Sequence, residues 1–527
     1  MRLLQSLTLL VTTNTVCSGD VLARCLVICF RLAFSKENII STTGGATVRH
    51  LVTAVFDRTL SDPSSAPVTT SVSAPSDLPG IVSDAYLLFQ DLLQLVNADQ
   101  PLWLLGIVEM TRTFGLELLE NLLSGYSHLF YKYDQFRVLL KERVCSLVIK
   151  LFSPNIKYRG QSSSGSPGHS PAAFDKPYYP ISLRLLRVVS VLVEKYYKLL
   201  ITECEIFLSL IVKFLDPDKP SWQRALALEL LHKLVIQPRL VTEFCRYYDC
   251  QDHATNILQD IINSLGAYVQ NMFIPQPGSQ TEQQQPSSGQ AGGVTGIPPT
   301  GGVSPQPGFY YRGVYQPLAV AWLGGVAKSH YLDITERLDP PAMQEGYGVS
   351  LAYCCLLDLV RSVSLVIDTP PAEPWDSDTV TIDQVRSQLL VSTWNGVLSA
   401  LSLLLDASTE DTAAENLLKS LCLFSSLAGR LDMAGLRDSY ITAVCKASLP
   451  PHYTLSVLKA TASTQLVSGS SGEEATGEAA DYRHQVVAVG TPLATASLPS
   501  SAQQGPVVLS GGMVPMQWLL KGIENRK

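Results

Sequence analysis

The sequence predicts an all-α protein, an irregular HEAT/armadillo-like α-solenoid with disordered linkers, and three observations lead there. Apolar residues recur at steps of three and four almost throughout, the spacing of one helix face. Period-two alternation, the mark of half-buried strands, is scarce. Successive helical stretches are joined by short, breaker-rich connections, which favours neighbours stacked in a row. No strict repeat period is visible, which argues against a regular tetratricopeptide or ankyrin array.

At the start, Met1-Arg2, Leu3-Leu4 and Leu7–Val11, with Cys17-Ser18-Gly19 beyond, imitate a signal peptide. Gln5, Ser6 and Thr8 interrupt that apolar run, however. A second run, Val21–Phe34, follows directly and carries Arg24 and Arg31. The expectation is a chain that begins inside a helix of a packed domain. No stretch is apolar without interruption for long enough to span a bilayer, so membrane contact is expected to be peripheral only.

Further along, Ala85, Phe89, Leu92 and Val96 share one helix face, and Phe136, Leu140, Val144, Leu147 and Leu151 another. Leu185, Val189, Leu192, Tyr196 and Leu199 do the same, followed by Cys204, Phe207, Ile211 and Leu215. Asp216-Pro217-Asp218-Lys219-Pro220-Ser221 stops that helix, and Ser221 is expected to N-cap the next, Trp222–Ile236. Ala225, Leu228, Leu231 and Val235 line one side of it, and it ends before Pro238.

Gly/Pro/Ser-rich stretches at 61–80, 159–174, 275–308 and 464–509 divide the chain. Such composition buries too little apolar area to fold. The expected organisation is a helical unit at 1–60 and a linker at 61–80. A larger helical unit at 81–274 follows, with a loop at 159–174, then a disordered linker at 275–308. A third helical region is expected at 309–463, a linker at 464–509 and an unassigned end at 510–527.

Among the 527 residues, 39 Lys and Arg stand against 46 Asp and Glu, a net charge of −7. That balance argues against a broad nucleic-acid surface, which needs an excess of phosphate-neutralising cations. The 11 cysteines are odd in number and scattered, mostly in apolar helical runs (Cys25, Cys29, Cys145, Cys204, Cys354, Cys355, Cys422). Free buried thiols in a reducing cytosol fit that pattern better than a disulfide framework.

No catalytic constellation emerges. Gly324-Gly325-Val326-Ala327-Lys328-Ser329 has the wrong spacing for a phosphate-binding loop, and Gly469-Ser470-Ser471-Gly472 lies in linker, as do His169 and His484. Cys245, Cys250 and His253 are the best metal candidates, but no second cluster supplies a fourth ligand, and no metal or cofactor is expected. Glu109, Glu117 and Glu120 read as solvated helix surface rather than acid/base machinery. Trp222 reads as a packing anchor, and Cys354-Cys355 as core.

Tyr248-Asp249-Cys250, then Asn256-Ile257 and Ile261-Ile262-Asn263, resemble the HUS box of the large Sec-seven-type Arf exchange factors. That box runs approximately Asn-Tyr-Asp-Cys-Asp and then Asn-Ile-Phe. Here Tyr247, Gln251 and Leu258 depart from it, and His253 replaces another Asn. Asp249 is expected to cap a helix opening near 252, and Asn256 to tie adjacent helices by side-chain hydrogen bonds. The box is thus read as a structural and interaction element.

Trp394–Leu405, Asp406-Ala407-Ser408-Thr409, the helix around 412–429, Arg437–Ile441 and Lys446–Leu449 resemble the HDS-one segment of the same family. The interval 275–390 is too short for a Sec-seven catalytic domain. Glu345, in Pro340-Pro341-Ala342-Met343-Gln344-Glu345-Gly346, is the candidate considered for the catalytic loop and matches it poorly. A relative without that domain resembles the Mon-two homologue (monensin-sensitivity) family. Leu10–Thr15, Thr47–Val55, Ala85–Asn97, Thr111–Leu119, Lys141–Lys157, Leu183–Val191, Ile201–Leu215 and Val486–Gly490 carry that likeness. It covers 1–465 apart from the linkers, and 481–498 more loosely.

The resemblance implies the end of a dimerisation and cyclophilin-binding (DCB) domain at 1–60, a HUS-type domain at 81–274 and an HDS-one-like region at 309–463. It implies a non-enzymatic scaffold in transport between Golgi, trans-Golgi network and endosomes, including endosome-to-Golgi retrieval. It would sit peripherally on the cytoplasmic face of those membranes and in the cytosol. Partners implied are a Dopey-type protein, a phospholipid flippase, an Arf or Arf-like small GTPase, and a second copy through DCB–HUS. The alternative is a regulator or degenerate guanine-nucleotide exchange factor for an Arf-family GTPase. An armadillo-type nuclear or cytoskeletal adaptor would keep the fold without the family.

Overall fold

On helix faces written at steps of three and four, the leading residues lose all contact with water. Ala85, Phe89, Leu92 and Val96 are fully buried on the helix Gly80–Asn97, and Cys204, Phe207, Ile211 and Leu215 are buried at Ile201–Lys213 and just beyond. The computed structural model describes residues 2–13, 17–60, 78–107, 110–152, 178–274, 307–312, 314–318, 331–335, 337–369, 380–448, 507–509 and 512–514. The linker expectations at 61–77, 159–174, 275–306 and 464–506 lie outside those residues. So do Glu109, His169, His484, Gly324–Ser329, Gly469–Gly472 and Val486–Gly490.

The fold is all-α with small hairpins. α1 (Arg2–Thr13), α2 (Gly19–Ala33) and α3 (Asn38–Leu60) pack together, with Leu4, Leu7 and Val11 turning inward from α1. α3 hands on to α4 (Gly80–Asn97), and α4 to α5 (Arg112–Gly125). Leu78, inside the stretch expected to be linker, is buried, because it closes the apolar face at the entry to α4. The short α6 (Ser127–Lys132) and α7 (Asp134–Val138) lead through a π-helical turn, Leu139–Val144, into α8 (Cys145–Phe152).

Next come α9 (Tyr179–Tyr196), α10 (Ile201–Lys213), α11 (Ser221–Val235), α12 (Pro238–Phe244) and α13 (Ile257–Met272). α9 packs on α5 and α11. Trp222 anchors the start of α11 edge-on against Tyr179, ring centres 5.2 Å apart. Ser221 does not cap that helix as expected. It is the first helical residue, and Pro220 in extended conformation holds the N-cap position with no side-chain cap bond. The fixed φ of proline already turns the chain into the helix.

Where the sequence suggested only helices beyond 309, an antiparallel hairpin forms first. β1 (Gly308–Tyr311) pairs with β2 (Val314–Pro317), Gly308 opposite Pro317. Phe309 is fully buried against Tyr353, and the Gly308 carbonyl accepts the Thr409 amide at 3.0 Å. Alternation over four residues is too short to stand out, and tertiary contact with the helices decides the strand.

α14 (Tyr347–Asp368), α15 (Ile382–Ala407), α16 (Asp411–Arg430) and α17 (Ala434–Ser448) complete the helical body. α15 opens with a capping box in which the Thr381 hydroxyl accepts the Gln384 amide. α14 packs on α11, and α15 on α13 and α16. α14 and α15 are long and apolar enough to cross a membrane by length and composition, yet 78% and 56% of their most apolar windows are buried inside the fold. Their composition is that of core helices.

A second hairpin, β3 (Val507–Leu509) with β4 (Gly512–Val514), falls across the end of the last expected linker. Of the 11 cysteines, Cys354 and Cys355 are buried as expected, whereas Cys422 and Cys445 are exposed and Cys250 is half-buried. Cys422 lies off the face of α16 formed by Leu417, Leu421, Phe424 and Ala428, so its apolar neighbours in sequence do not bury it.

Candidate interaction site

Following α12, the backbone widens into a π-helical turn, Cys245–Asp249, and the Cys250 amide donates to the Cys245 carbonyl at 2.8 Å. The extra residue per turn rotates Tyr248 and Asp249 into the core together. Tyr248 donates its hydroxyl to the Ile201 carbonyl at 2.6 Å and packs among Tyr197 and Phe244. Burial pushes its pKa far above the ordinary tyrosine value.

Asp249 is the joint of the site. Its carboxylate accepts the Leu258 amide at 3.0 Å and the Gln259 amide at 3.1 Å, capping α13, and it also bonds Ser392 on α15. The expected cap is therefore present, but the helix it caps opens at Ile257 rather than near 252. Residues 251–256 make a turn instead, and Asp249 reaches across it to the free amides of the first helical turn. Burial raises the Asp249 pKa despite the lowering effect of the Leu258, Ser392 and Gln259 donors.

The remaining box residues divide. Ile257 is fully buried beside Leu258. Asn256 is exposed at the N-cap and makes no side-chain cap bond, contrary to the expectation that it ties helices. With Asp249 already holding the first amides, its amide side chain has no orphan donor left to accept. The sulfurs of Cys245 and Cys250 lie 3.9 Å apart, and His253 is exposed. Among the described residues no group of three or more His, Cys, Asp or Glu side chains converges to hold a metal.

Glu117 and Glu120 are not free surface charges, as their sequence setting suggested. Glu120 is buried and pairs with Arg187 at 2.7 Å, and Glu117 pairs with Arg49 at 2.7 Å and Arg184 at 3.3 Å. α9 supplies two of those guanidinium groups, so the carboxylates of α5 are covered by the neighbour that periodicity alone could not place. Glu345 is exposed.

Three buried polar joints escaped the sequence reading. Glu229 on α11 accepts the amides of Tyr331 and Leu332 and the Tyr347 hydroxyl. His232, one turn on, meets Asp358 of α14 at 2.8 Å, and Arg361 covers the other oxygen at 2.9 Å. Asp91 accepts the amides of Leu102, Trp103 and Leu104. A signal existed: each is a charge set inside an apolar helical run, as in Leu228-Glu229-Leu230 and Leu357-Asp358-Leu359.

Residues 1–62 match the Mon2/Sec7/BIG1-like dimerisation and cyclophilin-binding domain, and residues 81–257 match the Mon2/Sec7/BIG1-like HUS domain. The chain is 45% identical over 537 residues to Protein MON2 homolog of Drosophila melanogaster, covering 97% of this chain and 31% of that one. The chain belongs to the MON2 homologue family. The human Protein MON2 homolog is 43% identical over 561 residues, 97% of this chain and 32% of its own. Protein MON2 of Saccharomyces cerevisiae is 24% identical over 247 residues, 44% of this chain and 14% of its own. The chain thus spans about a third of the length of the first two relatives. Tyr248, Asp249, Cys250, Asn256 and Ile257 all fall within its HUS match.

Proposed function

We propose that this chain is part of a non-enzymatic scaffold for membrane traffic between the Golgi, the trans-Golgi network and endosomes. It would act peripherally on the cytoplasmic face of those membranes. Its helical surfaces would bind a Dopey-type protein, a phospholipid flippase and Arf-family GTPases, and its DCB and HUS regions would pair with a second copy. One observation carries the reading: Asp249 is spent on holding α13 to α15, with Tyr248 and Ile257 buried around it. A buried acid that binds backbone amides within its own fold positions helices, which suits a scaffold. Membership of the MON2 homologue family supports the trafficking role.

Affinity capture from cytosolic extract on the full chain, with bound proteins identified by mass spectrometry, tests it. Enrichment of a Dopey-type protein or an Arf-family GTPase is expected. A folded bait that retains neither would overturn the partner assignment. A nucleotide-release assay with a bound Arf-family GTPase decides against the scaffold if the chain accelerates release.

A further inference from the structure

The π-helical turn at Cys245–Asp249 does more than bury Tyr248. It stacks residue 245 beneath residue 250, as the amide-to-carbonyl bond between them at 2.8 Å records. That register brings their sulfurs to 3.9 Å, whereas an α-helical turn would place positions five apart on diverging faces. The two thiols also differ in access. Cys245 is fully buried, and Cys250 is half-buried at the mouth of the turn.

We infer that Cys245 and Cys250 form a reversible oxidation site, in which hydrogen peroxide converts the pair into an intrachain disulfide. The inference is independent of the trafficking role. Cys250 thiolate attacks one peroxide oxygen, the O–O bond breaks, and hydroxide leaves, giving a sulfenic acid. The Cys245 sulfur then attacks the Cys250 sulfur, the S–O bond breaks, and hydroxide leaves with the Cys245 proton as water. Overall two thiols and one peroxide become one disulfide and two waters. A disulfide needs sulfurs about 2.05 Å apart, which side-chain rotation can supply from this starting separation.

The electrostatics favour this order of events. The contact with Cys245 holds the Cys250 thiol below its ordinary value, although burial and Asp249 oppose that. The same contact, with burial, pushes Cys245 well up, so it stays protonated until it attacks the Cys250 sulfenic acid. Cys250 is thus the group that reaches peroxide first, and Cys245 is the resolving thiol. Cys17 and Cys25 also share a hydrogen bond, but both are buried, which separates proximity from access. Oxidation would also remove the proton that the Cys245 thiol donates to the Val385 carbonyl of α15, sulfur and oxygen being 3.6 Å apart.

The test is peptide mapping of the full chain, treated while folded with graded hydrogen peroxide and then unfolded in acid with N-ethylmaleimide present to block free thiols. Trypsin cuts at Arg246, between the two cysteines, so the disulfide joins Leu240–Arg246 to Tyr247–Arg312. The linked pair should rise with peroxide and vanish after dithiothreitol. Cys250→Ser should abolish it, and Cys245→Ala should leave a Cys250 sulfenic acid that dimedone traps. The wild-type map decides even if a variant fails to fold. Cys250 recovered as a free thiol, or as sulfinic acid with Cys245 reduced, while exposed Cys422 and Cys445 are oxidised, would overturn the inference.

Discussion

The carboxylate of Glu229 accepts the backbone amide of Leu332 at 2.8 Å across 103 residues of sequence. It also accepts the Tyr331 amide at 3.1 Å and the Tyr347 hydroxyl, and the two tyrosine rings meet edge to face at 4.8 Å. Arg187 on α9 completes the attachment by donating to the Leu332 carbonyl at 2.7 Å. A single buried acid therefore ties the segment before α14 to the middle of α11.

Glu229→Ala should leave the two amides without their buried acceptor and cost roughly 2–3 kcal/mol, the scale of hydrogen bonds to a charged acceptor. Glu229→Gln should recover part of the loss. Urea midpoints measure the cost, and hydrogen exchange at Tyr331 and Leu332 should quicken in step. An unchanged midpoint would show that the segment is held by other contacts.

Asp249→Ala removes the cap on α13 and its bond to Ser392, and should cost about 1–2 kcal/mol, as helix caps do. Weaker DCB–HUS packing and partner capture should accompany it, and Cys250→Arg should act in the same direction by forcing a charge beside the turn. A variant that kept both its melting temperature and all partner binding would contradict that role.

The pH dependence of the same residue has a definite sign. Burial raises the folded pKa of Asp249 above its ordinary value, so the folded chain holds that proton more tightly than the unfolded chain does. Its contribution is fully present below the ordinary Asp value and is lost as pH rises through the raised one. Relative to Asp249→Asn, the wild type should therefore lose stability between acid and neutral pH. Urea titrations of both proteins at several pH values read the slope, and a wild-type advantage that grew with pH would reverse the assignment. Asp84 and Asp260, also raised by burial, contribute with the same sign in both proteins.

Within one charge network, two arginines should behave differently. Arg187 pairs with the buried Glu120, while Arg49 reaches Glu117 from a largely exposed position. Arg49→Ala should cost under about 1 kcal/mol, like other surface pairs. Arg187→Ala leaves the buried Glu120 with only the longer Arg184 contact at 3.6 Å and removes a donor from the Leu332 carbonyl, and should cost about 2 kcal/mol. Thermal unfolding of the two variants side by side would expose equal losses, which the burial difference forbids.

α13 and α15 cross where Gly266 faces Gly396. A Cβ built on Gly396 would lie 2.5 Å from the Ile262 methyl and 3.2 Å from the Ile262 carbonyl carbon. Gly396→Val should force the helices apart and cost about 1–3 kcal/mol. The melting temperature should drop accordingly. A variant as stable as wild type would mean that the crossing opens freely.

The helix faces were legible because they are local. Phe89 and Val96, or Phe207 and Ile211, need only the pitch of one helix to be placed on its buried side. The HUS box was legible as a pattern, and Asp249 as a cap, yet the helix it serves starts at Ile257, after a turn that the pattern does not mark. Asn256 misled for a related reason: its usual capping task had already been taken by a residue seven positions earlier. The β1–β2 hairpin was hidden because strands of four residues carry too little alternation to be recognised alone.

Hydrophobic periodicity, breaker placement and charge balance were enough to establish the helical class, since each depends on neighbours within a turn or two. The partnerships of Glu229 with Leu332, His232 with Asp358 and Glu120 with Arg187 join residues 67 to 126 positions apart. Which charge is buried, and which amide it satisfies, depends on how the helices stack. Only the packed chain brings those groups within hydrogen-bonding distance, and only exclusion of water makes the pairing necessary.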